Sequence, residues 1–484
     1  MYELFLADAL KKRGVGEVRI HTLLEGESFE PLMQVLNASD GPVLFWESLS
    51  SKSVGYILNG MEFCKSFTSK TNRRTVLGGY WASTVAKDFP EFDVFDVVIQ
   101  GYGFEQVVDC LLSDGSTERF VSASTPCDWN VYDMALDSLA SPEKYYRARD
   151  RFLSGYISSF ACPNKCGFCY NTVLKSLESD YASRDLDKVF ADLEALDRVY
   201  GFERIQFKDL NFFHEKERAL AILDHLKGMG KVCQRALDLH VSDASEELFE
   251  IVSKYGVTEI WIGLEAFTKA ELDYMDKEYD TSKLARIFSW ADKFKIEVYG
   301  NIMLGAPWQT KERVEATINK ALDLIESHEY VRIMFNAMRP VLGSPIQKKY
   351  FADVSRNCSF KEMVDMFAFR LGRKQESIYG ADFAFVDIEK VHKAFLLINR
   401  LATISLHADA GGKWGTARLF AMIRRQLKPP YFSSALGSRF FSMSTKNLMR
   451  VVVFLRTIFI PNNRKIWARK TIASVKTSLD RRRS

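Results

Sequence analysis

Three cysteines, Cys162, Cys166 and Cys169, are the residues here whose type and spacing could do chemistry. They stand in Cys162-Pro163-Asn164-Lys165-Cys166-Gly167-Phe168-Cys169, a C-x3-C-x2-C spacing after an apolar run and before a helical pattern. Thiolates grouped so closely can face one point in space, and soft sulfur donors suit iron–sulfur clusters. Three is the informative number. A closed structural zinc or cluster site takes four protein ligands, whereas three leave one metal position open for a substrate or cofactor. A zinc knuckle and three unrelated cysteines are the alternatives at this level. Cys64, Cys110, Cys127, Cys233 and Cys358 are too scattered for a disulfide framework, so a reducing cytoplasm is expected.

The elements that must position this loop are readable from periodicity. From Ser154 to about Tyr350 a strand–helix alternation repeats about six times, with strands expected at Gly155–Phe160, Arg204–Lys208, Cys233–Leu239, Glu259–Gly263, Glu297–Met303 and Val331–Asn336. The helix after the cysteines carries Leu186, Val189, Phe190, Leu193 and Leu196 on one face, and the helix before the fifth strand repeats the pattern with Leu284, Ile287, Phe288, Ala291 and Phe294. Repeated βα units of this length make a parallel barrel or partial barrel, with chemistry at the carboxyl ends of the strands. The cysteine loop follows the first strand and so lies on that face.

The cysteine segment resembles the C-x3-C-x-aromatic-C signature of the radical S-adenosylmethionine (SAM) enzymes. The resemblance implies that Cys162, Cys166 and Cys169 hold a [4Fe–4S] cluster whose fourth iron is chelated by SAM, and that Phe168 lies near the adenine. One electron then cleaves SAM to methionine and a 5′-deoxyadenosyl radical. Further segments match in family order. Phe207-Lys208-Asp209-Leu210-Asn211-Phe212 resembles the strand-two segment, with Leu210 in place of a second acid. Ile260-Trp261-Ile262-Gly263-Leu264-Glu265 resembles the strand-four motif whose Glu lies near SAM. Gly300-Asn301-Ile302-Met303-Leu304-Gly305-Ala306-Pro307, with Glu312 following, resembles the strand-five motif beside the adenine, which makes Gly300, Ile302 and Gly305 SAM contacts. Arg339-Pro340-Val341-Leu342-Gly343-Ser344-Pro345 resembles the turn after strand six.

A methionine zwitterion needs a cation and an anion besides iron. Arg235 and Glu265, at strand ends, are the candidates, or else a salt bridge closing the barrel mouth. Asp209 and Asn211 are read as contacts to SAM or substrate, or as caps of the next helix. Trp261, Tyr299, Trp308 and Phe335 either line a dry pocket or fill the core. Histidines 214, 225, 240, 328, 392 and 407 show no ligand spacing and read as surface or core residues.

Residues 1–125 alternate helical and buried-strand patterns: a helix at Met1–Arg13 stopped by Gly14, then strands at Glu17–Leu23, Pro42–Trp46, Thr75–Leu77 and Val94–Ile99. Glycines follow the strands at Gly78-Gly79 and at Gly101 and Gly103, where a ligand can approach the backbone of an open α/β sheet. Val76–Ser83 and Val97–Glu105 resemble the cobalamin-binding Rossmann-like domain that precedes the barrel in one large radical SAM class. By that resemblance Gly78, Gly79, Gly101 and Gly103 contact cobalamin. The D-x-H-x-x-G motif is absent, so no protein histidine would bind cobalt. The strand expected before the first helix is also missing, so either translation starts upstream or the domain is pared down.

The expected organisation is α/β: a Rossmann-like parallel sheet over residues 1–125, a linker at 126–150, a partial (βα)6 barrel at 151–350 and a helical basic region at 351–484. From Gly411 onward 17 Lys and Arg face a single acid, Asp480, a net +16, so residues 1–410 carry −12 within the chain's +4. An apolar run at Val451–Ile460 with basic flanks is too short to span a bilayer but suits a membrane interface. Other readings are a buried helix with a solvated basic tail, or nonspecific nucleic-acid binding; no nucleic-acid fold motif appears, and no secretory signal opens the chain.

These readings imply an enzyme that cleaves SAM through a [4Fe–4S] cluster, with cobalamin-dependent methylation of an unactivated carbon as its reaction. A cyclase, oxidase or rearrangement enzyme without methyl transfer is the alternative within the class. A membrane-associated iron–sulfur protein for electron transfer is the alternative outside it. The implied partners are a small-molecule or lipid-like substrate, a one-electron reductant such as flavodoxin or ferredoxin, and an anionic membrane surface at the inner face. No specific nucleic acid is among them.

Overall fold

The computed structural model describes residues 2–362, apart from 23–26, 48–53, 85, 102, 114–117, 124–127, 147–150, 177–180, 236, 339–340, 342 and 351–358, together with Phe395, Leu396 and Asn399. The basic C-terminal region and its apolar run lie outside the described residues, as do His392 and His407. The chain divides into two units: Met1–Gly300 with Met338–Ile378, and Asn301–Ala337 with Tyr379–Ser484.

The first unit opens with the helix Tyr2–Lys12 and a sheet of four parallel strands in sequence order, β1 (Val43–Glu47), β2 (Thr75–Gly79), β3 (Val97–Gly101) and β4 (Phe120–Ala123). Both faces are buried, as continuous apolar strands require. Val76, Val97 and Ile99 pack against Phe5, Leu6 and Ala9 of the first helix and Val107, Val108 and Leu111 of the helix Phe104–Leu112. Leu77 and Val98 pack on the other face with Trp81, Phe92, Phe95 and Phe360. Of the strand expected over Glu17–Leu23, the described residues 17–22 form none. Its described part touches the rest through one parallel bridge, Ile20 to Leu139, because no strand edge lies beside it to complete a ladder. β4, by contrast, was not expected from the sequence: Phe120–Ala123 is short and polar in part.

The strand–helix alternation then sets in. β5 (Phe152–Tyr156), β8 (Arg204–Phe207) and β9 (Val232–Arg235) form a parallel three-stranded sheet in the order β5-β8-β9. Two short strands, β6 (Ser159–Phe160) and β7 (Ala182–Ser183), pair antiparallel on either side of the cysteine loop. The strand expected over Cys233–Leu239 is described on either side of residue 236, which lies outside the described residues: β9 pairs with β8, and Leu237–Leu239 (β10) pairs parallel with β11 (Glu259–Glu265). β12 (Glu297–Leu304) begins beside β11, where the Glu297 N–H donates to the Thr258 carbonyl at 2.9 Å.

A buried ionic network holds the cysteine-loop region to the preceding segments. Arg184, fully buried, donates through Nε to Asp192 Oδ2 at 2.7 Å and through Nη2 to the Tyr132 carbonyl at 2.9 Å, and its guanidinium lies 4.4 Å from the Phe5 ring. Tyr156 Oη donates to the same Asp192 oxygen at 2.9 Å. Asp192 sits on the inner face of the helix Leu186–Tyr200, which ends on Gly201 at φ +56°.

In the second unit the rest of β12 neighbours β13 (Val331–Ala337), with the helix Lys311–Ser327 between them in sequence. Asn336 Nδ2 donates to Asn301 Oδ1 at 3.1 Å, and Phe335 packs edge-on against Phe395 at 4.6 Å. The described structure is therefore mixed α/β with parallel sheets.

Candidate functional site

The cysteine loop is braced on every side by backbone hydrogen bonds. Asn171, the second residue of the helix Tyr170–Ser176 and 1% exposed, accepts the Cys162 N–H at 3.0 Å and donates back to the Cys162 carbonyl at 3.0 Å. Thr172 Oγ1 donates to the Cys166 carbonyl at 2.8 Å. Gly167 donates to the Met275 carbonyl at 2.7 Å and accepts from Ile346 N–H at 3.1 Å. A Cβ at Gly167 would lie 2.5 Å from Asp276 Oδ2, so only glycine lets these segments meet. Ile346 follows Gly343, at φ +80°, where an added Cβ would sit 3.1 Å from Val173. The turn expected after the sixth strand thus lies against the cysteine loop; Arg339, Pro340 and Leu342 in it are outside the described residues.

Burial holds the Cys166 and Cys169 thiols protonated, Cys169 up to about 11. Each feels the charge of the neighbouring cysteines, so the trio shares one microenvironment. A nucleophilic cysteine is held low instead. Bare, these thiols are inert; a cationic metal cluster would replace their protons. The donor set fits such a cluster.

Glu265, at the end of β11, is 8% exposed and adopts a left-handed backbone, φ +60°. Its Oε1 accepts from Lys277 Nζ at 3.2 Å, and Lys277 is 5% exposed. The Lys277 ammonium lies 6.0 Å from the Phe168 ring centroid and lowers the Cys166 pKa against burial, while Glu265 raises it. Gly263 makes room for the pair: a Cβ there would stand 2.6 Å from Glu265 Oε1 and 2.7 Å from Lys277 Nζ. Tyr279 Oη lies 2.7 Å from both the Leu264 and Ala266 carbonyl oxygens and shares its one proton between them, pinning the strained strand end. Among the described residues five non-glycines have left-handed backbone, and three of them, Ala161, Glu265 and Asp276, surround this loop. Strain concentrated in this way, at roughly 1–3 kcal/mol each, is characteristic of functional sites.

The structure brings Cys162, Cys166, Cys169, Phe168 and Glu265 together. Arg235 ends β9, and its side chain lies outside the described residues. The cation beside Glu265 is Lys277, which sequence reasoning missed because it belongs to no strand. Asp209 accepts the Ser158 N–H at 3.0 Å and the Ser159 hydroxyl at 2.6 Å, fixing the approach to the cysteine loop. Asn211 Nδ2 donates to Asp243 Oδ2 at 2.7 Å. Trp261 stacks on Tyr299 at 5.7 Å. Gly300 is buried in β12. Ile302 and Gly305 belong to the second unit, where Ile302 is buried and the Gly305 N–H, at φ +87°, donates to Gln309 Oε1 at 2.9 Å. Phe335 is core, and Glu312 is exposed with its carboxyl held low by its own backbone N–H and by Thr310.

The glycine edge of the first sheet has a different character. A Cβ at Gly78 would lie 2.5 Å from Trp46 Cε3, and one at Gly101 would lie 2.7 Å from the Ala123 carbonyl oxygen. Gly103, at 3.1 Å by the same measure, donates its N–H to that oxygen. Gly79 has φ +107°. The space over Gly78 is taken by the Trp46 ring, so a cofactor reaching that backbone needs the ring to move; the contacts at Gly101 and Gly103 are those with the paired strand β4.

Residues 156–321 match the Radical SAM superfamily. An uncharacterized methyltransferase of Pyrococcus horikoshii is 24% identical over 252 residues, 48% of this chain and 54% of that protein, so the chain spans about half its length. Among solved structures, the cobalamin-dependent SAM radical enzyme OxsB, with aqua-cobalamin and SAM bound, superposes with a TM-score of 0.60 at 12% identity over 99% of this chain and 78% of its own. The radical SAM methyltransferase TsrM from Kitasatospora setae, with tryptophan and a SAM analogue bound, gives 0.54 at 14% identity over 71% and 72%. These two likenesses establish the shared fold. Among the described residues no helix is long and apolar enough to cross a membrane. The cysteine loop and the Glu265–Lys277 pair lie inside the matched segment, and the chain carries at residues 156–321 a domain of the radical SAM superfamily.

Proposed function

We propose that this chain cleaves SAM at a [4Fe–4S] cluster held by Cys162, Cys166 and Cys169, and uses the resulting radical chemistry on a small-molecule or lipid-like substrate. The observation that carries the reading is the buried Lys277–Glu265 pair set beside that cysteine loop. When bound, the cluster supplies one electron to the sulfonium of SAM. The chain's residues do the rest. Lys277 offers a cation to the methionine carboxylate and Glu265 an anion to its amine. Phe168 offers a ring to the adenine, with Gly300 as a backbone contact. Asn171 and Thr172 hold the loop in place without touching iron.

The proposed organisation keeps residues 1–125 as a Rossmann-like domain, 126–150 as linker, 151–350 as a partial barrel and 351–484 as a helical basic region. Methyl transfer to carbon is the preferred outcome, supported by the methyltransferase relative and by the fold shared with OxsB and TsrM. It would draw on cobalamin held at the first sheet. A flavodoxin or ferredoxin is the proposed reductant, and the basic C-terminus is proposed to meet an anionic surface.

The test is anaerobic reconstitution with iron and sulfide, then SAM and dithionite. Formation of 5′-deoxyadenosine that Cys166→Ala abolishes is the expected result. An intact SAM pool, with iron already capped by four protein ligands, would favour an electron-transfer protein and overturn the reading.

A further inference from the structure

The glycine edge of the first sheet is occupied by an aromatic file. Trp46 and Gly78 are register partners on the parallel strands β1 and β2, so a side chain at 46 stands directly beside the position at 78. The Trp46 ring lies over Gly78, as the 2.5 Å approach of its Cε3 to a Cβ built there demonstrates. Tyr2 stacks on Trp46 with centroids 4.2 Å apart and an interplanar angle of 17°, and on Phe104 at 4.6 Å and 17°. Phe104 begins the helix directly after Gly103, and Tyr132 closes the far end edge-on at 5.3 Å. The file therefore runs from β1, where the Trp46 ring covers Gly78, to the N-terminus of that helix.

We propose that Trp46 is the residue that decides whether this edge admits a corrinoid: its ring plugs the cradle, and cobalamin seats at Gly78 only when Trp46 leaves the stack. This deepens the reading of the sheet as a cofactor seat and rests on it. Gly78 is glycine because Trp46 needs the space, and any ligand atom that reaches the Gly78 backbone competes with the ring for that volume. Removing the plug therefore favours the ligand twice, by vacating the volume and by abolishing the stack that must break.

The experiment uses the full chain with its cluster reconstituted, and titrates hydroxocobalamin by equilibrium dialysis and by its visible spectrum. Three proteins are compared: wild type, Trp46→Phe and Trp46→Ala. The expected result is affinity at least tenfold higher for W46A than for wild type, with W46F between them. Equal affinities across the three, whether tight or undetectable, overturn the proposal. Far-UV circular dichroism checks that each variant is folded; if W46A is not, the ordering of W46F above wild type carries the test. Wild-type 5′-deoxyadenosine formation in the absence of cobalamin reads the cluster chemistry separately. Its failure would sink the proposed SAM cleavage without bearing on the plug, and equal affinities would sink the plug without bearing on SAM cleavage.

Discussion

Two glycines, Gly78 and Gly263, stand on parallel strands and have opposite company. Gly78 is covered by an aromatic ring that belongs to an apolar file. Gly263 is covered by the two charged ends of a buried ion pair, next to strained backbone and three thiols. An apolar stack over a glycine is self-sufficient: it satisfies the fold and asks for nothing more. A lysine and a glutamate taken out of water are costly unless their remaining hydrogen-bonding capacity is met. Lys277 has three donors, and the Glu265 carboxylate can accept more bonds than the one from Lys277. The comparison teaches that the chemistry of what fills the space over a glycine, more than the glycine itself, distinguishes a structural cradle from a binding one.

The largest expected effect breaks the charged side of the comparison. Lys277→Met leaves Glu265 buried and uncompensated, which costs about 3–5 kcal/mol. Denaturant unfolding of the reconstituted protein measures it. The double variant Lys277→Met/Glu265→Leu should recover most of that stability, since an apolar pair of similar volume replaces an ionic one. If the pair serves SAM, 5′-deoxyadenosine formation stays low in both. Wild-type SAM cleavage by the double variant would make the pair a structural salt bridge only.

A smaller effect comes from adding one methyl group to each glycine. Gly263→Ala forces Glu265 and Lys277 to move, and Gly78→Ala forces the Trp46 ring to turn; overpacking of this kind costs about 1–3 kcal/mol in either place. The stability losses should be similar. The SAM concentration needed for half-maximal cleavage sharpens the contrast: it should rise for Gly263→Ala, whose clash falls on the proposed SAM contacts. An unchanged value for Gly263→Ala would remove the functional distinction between the two cradles.

The sequence made some of this legible, for physical reasons that can be named. The C-x3-C-x2-C spacing is local, so the three thiols share one loop whatever the fold does around them. The parallel strands were legible because they are apolar on both faces, as at Val97, Val98 and Ile99. Glu265 was legible from its motif, but its partner was not. Lys277 arrives through a left-handed turn at Asp276, twelve residues away, and no periodicity encodes that approach. Residues 17–22 have strand composition yet form only an isolated bridge, because a strand needs a neighbouring edge and composition does not say whether one exists. That Trp46 stands over Gly78 was hidden, because their register is fixed by pairing between residues thirty-two apart.

The smallest effect concerns pH at the charged cradle. His240 follows β10 and faces Lys277, Lys283 and Asp243, with the Tyr279 ring edge-on at 6.4 Å. Burial first, and the Lys277 ammonium second, hold its pKa down to about 4. Its Nδ1 accepts the Ser242 N–H at 3.3 Å, a bond the neutral ring alone can make. An unfolded histidine takes up its proton near pH 6.5. Between about pH 6.5 and 4 the unfolded chain therefore binds a proton that the folded one refuses, and stability falls as pH falls through that window. His240→Gln removes the contribution, so the stability difference between wild type and variant should narrow on going from pH 7.5 to pH 5. A difference that stayed constant across that range would mean that His240 is protonated in place beside Lys277, and that the charged cradle is wetter than its burial implies.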